Sequence, residues 1–132
     1  MRYQQLKMLS SLGKDGRKVT DSDIIQWSNN KVQESGKSRQ MVQFRDLSLA
    51  DSCYLLDLVN AVEDGCVDYA VVSKGASMKD KEGNAKYLLT VARKIGAAVF
   101  LTFEDILEVK PKMIMTFVAT LMYLDMNKKQ DN

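Results

Sequence analysis

Histidine is absent from the 132 residues of this chain. That removes the commonest general base, the usual serine and cysteine triads, and most zinc or haem sites. Cysteine is scarce. Cys53 and Cys66 stand in separate apolar segments without CxxC spacing, so they read as small core thiols in a reducing compartment rather than as a disulfide. Charge of one sign is not in excess either. A net charge of +2 gives no sequence-wide field toward nucleic acid or an anionic membrane, so any electrostatic partner must be met by a local patch. Long hydrophobic runs are missing as well. The longest, Met113–Tyr123, is interrupted by threonines and falls short of the roughly 20 residues that cross a bilayer. The opening "MRYQQLKMLSSLG" lacks the apolar h-region of a signal peptide. The expectation is a cytoplasmic chain with no transmembrane segment and no nucleic-acid partner.

What is present has helical spacing almost throughout. Tyr3, Leu6 and Leu9 lie along one side of a lead-in helix that stops at Gly13, so residues 1–13 are assigned to it and 14–19 to a turn-rich linker. Thr20 then supplies an N-cap with Asp23 at N3, and Val19 and Ile24 fall at the positions of a hydrophobic staple. Ile24, Ile25, Trp27, Ser28 and Val32 give that helix its inward face, and Gly36 its stop. "GKSRQMVQFRDLSLADS" reads as a long polar loop with little regular structure. In the helix Ser52–Val62, the stripe Leu55, Leu58, Val59 and Val62 points inward while Asp57 and Asn60 face away. Val67–Ser73 is a short turn, Lys79–Ile95 a longer helix ended by Gly96, and Phe103–Val109 one or two helical turns. The only proline, Pro111, fits the first position of a last helix. Its Met113, Ile114, Phe117, Val118, Leu121 and Met122 leave little polar surface, which places it at the buried centre. The fold class is all-α, with one domain over 20–125 and a frayed tail over 126–132.

Candidate chemistry is thin. "SGKS" at Ser35–Ser38 resembles the end of a phosphate-binding loop, but Lys31 stands where that loop needs a glycine, and a helix rather than a strand precedes it. The acidic pair Glu104-Asp105 points about 100° apart on a helix and so does not converge on one substrate atom; it reads as a helix opening. No catalytic residue, metal ligand or cofactor site is assigned, and the chain reads as a non-enzymatic binding domain. Lys86, Arg93 and Lys94, or Lys37, Arg39 and Arg45, are basic side chains on solvated faces.

Taken in order, "DIIQWSNNKV", "LLDLVNAVEDGCVDY", "NAKYLLTVARKIGAAVF" and "FEDILEVKPKMIMTFVATLMYL" resemble the calponin-homology domain, and within that family the last of the four such domains of the fimbrin (plastin) type. The resemblance runs from Thr20 to Tyr123. It implies four main helices plus short ones, with the Lys79–Ile95 helix and the last helix at the centre and the Trp27 helix packed on them. It also implies a function: an F-actin-binding module of a cross-linking protein, acting as the weaker second domain of a tandem pair beside a neighbouring calponin-homology domain of the same chain. On that pattern the filament-facing residues are Arg2, Gln5 and Lys7 of the lead-in segment and Asp23, Gln26, Asn30 and Lys31 of the first helix. The alternative is an adaptor domain that docks on another protein or on phosphoinositides through Lys86, Arg93 and Lys94. Two positions depart from the family pattern. Phe103 stands where proline is frequent, and Ser28 stands where an apolar residue is frequent, which weakens the Trp27 face.

Overall fold

The structure is a computed structural model, and it describes residues 19–131. The lead-in helix expected over 1–13, with Arg2, Gln5 and Lys7, lies outside the described residues. Five α-helices and two 3-10 turns are present among the described residues, with no strand: α1 Asp21–Glu34, a 3-10 turn Leu47–Asp51, α2 Cys53–Val62, a 3-10 turn Tyr69–Val71, α3 Met78–Lys94, α4 Phe103–Leu107 and α5 Pro111–Asp131. Four are long and the rest short, which is the expected all-α architecture.

The helix ends follow local chemistry. Thr20 and Asp23 form a reciprocal capping box at the start of α1, with the Asp23 amide donating to Thr20 Oγ1 at 3.2 Å and the Thr20 amide to Asp23 Oδ2 at 3.0 Å. Gly96 closes α3 at φ +97°, where the Gly96 amide reaches Arg93 O and the Ala97 amide reaches Ala92 O. That pair of bonds needs a left-handed residue between them, which glycine takes without a side-chain clash. Pro111 begins α5, as its missing N–H and fixed φ favour. Within α5 the threonines that interrupt the apolar run return their hydroxyls to the helix itself, Thr116 to Lys112 O and buried Thr120 to Thr116 O at 2.7 Å.

Packing corrects several expectations. α5 is buried throughout Phe117–Met122, as expected of a central last helix, and α2 shares that centre: it packs on α1, α3 and α5, and every residue from Cys53 to Val59 is buried. α1 lies chiefly against α2 and α5 rather than against α3. A helix covered on three sides has no solvent face, so Asp57, expected outward, is only 5% exposed. Its carboxylate accepts a 2.7 Å bond from the Tyr69 hydroxyl and lies 3.4 Å from Arg39 Nε, as a buried charge requires.

The segment 37–51 is no free loop. Met41, Phe44 and Leu49 are buried, and Asn29 clamps Met41 by accepting from its amide and donating to its carbonyl, both at 2.8 Å. Ser28, fully buried, does not weaken its face: its hydroxyl bonds Ile25 O and the Tyr54 hydroxyl at 2.8 Å, and the latter donates to Asn29 Oδ1 at 2.7 Å. Nor does the chain fray at 126, because α5 continues to Asp131 and Lys128 reaches Val62 O and Glu63 at the end of α2.

Candidate functional site: the outer faces of α1 and α3

The outer surface of α1 divides the residues assigned to it. Gln26 and Asn30, one turn apart, are both exposed and share a face. Asp23 is half-buried, and its carboxylate is used in the cap. Lys31 is turned inward. Its ammonium sits 3.2 Å from Asp125 of α5, with the two side chains only 15% and 6% exposed. An ion pair so far removed from water joins two helices, and removing one partner leaves the other charge buried. Lys31 is therefore structural, and the exposed residues of α1, which include Asp21 and Glu34 beside Gln26 and Asn30, carry no cation. Sequence periodicity puts Lys31 at a helix edge but carries no signal of Asp125, which lies 94 positions away (125 − 31).

The basic set on α3 is also divided. Lys86 pairs with Glu82 one turn back at 3.1 Å, and its ammonium stands 4.7 Å from the centre of the Phe103 ring. Arg93 is exposed and lies on the same groove as Lys86, between α3 and α4. Lys94 is exposed but does not line that groove. The three cations do not converge on one point as a phosphorylated headgroup would ask.

The acidic pair is a helix start. Asp105 and Thr102 form a second capping box, with the Thr102 amide donating to Asp105 Oδ2 at 2.9 Å, and Lys110 lies 3.1 Å from Asp105 Oδ1. The Thr102 amide, then the Lys110 ammonium, hold the Asp105 carboxyl below the usual carboxylate range. Glu104 is exposed on the rim of the α3–α4 groove. The two thiols are free, Cys53 buried and Cys66 half-buried, and burial pushes both above the usual thiol range, which makes them poor nucleophiles.

A short central helix is wrapped by three longer ones, and Asp105 of the acidic pair on α4 is used in a cap. Residues 18–127 match the family model for the calponin homology (CH) domain, and the chain belongs to that family. Its relatives include Fimbrin-4 of Arabidopsis thaliana, 40% identical over 99% of this chain, and Plastin-3 of Homo sapiens, 43% identical over 92%. The chain spans about a fifth of the length of these relatives, 20% and 19% respectively. Among solved structures, the actin-crosslinking core of Schizosaccharomyces pombe fimbrin aligns with a TM-score of 0.79 at 32% identity, covering 92% of this chain and 25% of that one.

Proposed function

We propose that this domain is an actin-filament-binding module of a fimbrin-type cross-linking protein of the actin cytoskeleton, acting as the weaker second calponin homology domain of a tandem pair. The observation that carries this reading is the likeness to the actin-crosslinking core of the yeast fimbrin. Gln26 and Asn30 on α1, with Arg2, Gln5 and Lys7 ahead of it, form the filament-facing side. Lys31 acts behind that side, holding α1 on α5. The module works by binding, without catalysis, and its domain runs from residue 20 to residue 125, with the last turns of α5 extending beyond it.

The first prediction tests this reading by co-sedimentation with filamentous actin, run on the chain alone and joined to its neighbouring domain at low and physiological salt. The chain alone binds weakly, and the pair binds more tightly than the neighbour by itself. Gln26→Ala/Asn30→Ala weakens the pair about two- to fivefold, an exposed-contact effect that leaves the melting temperature within about a degree. Because both side chains are neutral, that loss is the same at either salt concentration. A pair no tighter than the neighbour alone would overturn the reading.

A further inference from the structure

The groove between α3 and α4 has no part in the actin reading, and its chemistry is selective. Its volume is about 400 Å³. Two cations, Lys86 and Arg93, and one carboxylate, Glu104, stand on its lining, an excess of one positive charge (2 − 1 = +1). Leu101 and Phe103 supply apolar surface between them. The two threonine hydroxyls on the lining each make a local bond, Thr90 donating to Lys86 O at 3.0 Å and Thr102 accepting from the Asp105 amide at 3.2 Å, which leaves the Thr102 O–H as a donor. What the groove offers a ligand is a pair of cations, an aromatic ring and the Thr102 hydroxyl donor.

We propose that this groove docks an acidic, extended segment of a partner protein that carries one apolar side chain between its carboxylates. Arg93 has no acidic partner among the described residues, and its planar fork suits a carboxylate. Lys86 has Glu82 as its acidic partner, with side chains 56% and 43% exposed, and stands over the Phe103 ring. Exposed pairs of that kind contribute little, so an incoming carboxylate displaces Glu82 at small cost. The two cations are two helical turns apart, roughly 10 Å along the axis. Carboxylates four residues apart lie on one face of an extended chain, roughly 13 Å apart at roughly 3.3 Å per residue, a span that two long basic side chains reach. The residue between them then falls on Phe103, whose ring the Lys86 ammonium steadies. A phosphoinositide headgroup fits less well, since Lys94 lies off the groove and only Lys86 and Arg93 bring positive charge to its lining.

The test is fluorescence anisotropy with the 132-residue chain and a labelled peptide that carries glutamates on both sides of one central phenylalanine. Saturable binding is expected, weakening between ~50 mM and ~150 mM salt. Arg93→Glu weakens it about tenfold, whereas Lys112→Glu, an exposed cation elsewhere, changes it less than about twofold. Replacing the peptide's phenylalanine by serine weakens binding about fivefold, and Phe103→Leu on the protein keeps the fold while lowering affinity about threefold. Thermal melts of each variant separate lost binding from lost structure. The proposal is overturned by any of four results: no saturation, equal binding of a lysine-for-glutamate peptide, equal weakening by Lys112→Glu, or capture by phosphoinositide vesicles without peptide binding. Actin co-sedimentation of Arg93→Glu stays unchanged, so this proposal and the actin reading fail separately.

Discussion

Ser28 sits fully buried on a helix face that packs hydrocarbon, and Tyr54 makes that tolerable by accepting a bond from it at 2.8 Å while donating to Asn29 Oδ1 at 2.7 Å. The second prediction is that Tyr54→Phe costs about 1 kcal/mol at neutral pH, the typical net worth of such a bond, read from urea unfolding. Burial pushes the Tyr54 phenol up to about 12, partly offset by the Ser28 bond. A raised acid favours its neutral form in the fold, so this stability is full below the ordinary phenol value of about 10 and is lost as pH rises toward 12. Tyr54→Phe therefore loses less stability than the parent between pH ~8 and ~11, the remainder coming from Tyr69, which is also raised. A third prediction concerns Ser52, which combines φ +65° with a buried hydroxyl that has no hydrogen-bond partner among the described residues. Ser52→Gly removes both costs and raises stability by about 1 kcal/mol, a shift of a few degrees in Tm.

At the scale of an element, α4 shows how five residues hold a helix. Its start is the Thr102–Asp105 box, and its end is Val109 at φ +50°, a strained setting for a β-branched side chain that is retained because that side chain is buried. Asp105 faces both ends, through Thr102 and through Lys110. Its carboxyl is held low, so its contribution is present above the usual carboxylate range near pH 4 and is lost as pH falls through the lower folded value. The fourth prediction is that Asp105→Asn lowers the melting temperature at pH 7 and narrows the gap in stability between pH 7 and pH 3; an unchanged gap would rule this account out. Asn84, buried on α3, fastens the neighbouring segments in the same manner through Ser73 and the Asp51 carbonyl.

Across the whole molecule, two lysines tie α5 to the rest. Lys31 of α1 meets Asp125, and Lys128 closes on the end of α2. The fifth prediction is that Asp125→Ala costs roughly 3 kcal/mol, whereas Lys31→Met/Asp125→Leu recovers most of it, because the double change leaves no buried charge alone. A double-mutant cycle in urea measures this, and strict additivity would show that the pair is not coupled. Since α1 also carries Gln26 and Asn30, Asp125→Ala loosens the proposed filament face without touching it.

Helix starts at Thr20 and Pro111, stops at Gly36 and Gly96, and the stripes of α1, α3 and α5 were all legible in the sequence. Each is decided by bonds and sterics within about four residues, and so is the reading of Glu104-Asp105 as a helix opening. The inward turn of Lys31, the burial of Asp57, the anchoring of segment 37–51 through Met41 and Phe44, and the central place of α2 were not legible. Each depends on which faces of distant elements meet, and no local pattern records that. The site divides the same way. The sequence alone determined that Gln26 and Asn30 share a face and that Lys86 and Arg93 lie two turns apart. Only the tertiary structure decided that Lys31 is spent on Asp125, and that the turn at Gly96 brings Phe103 beneath Lys86 to make a groove. Helical spacing is a property of one segment, but burial and charge pairing belong to the packing of several.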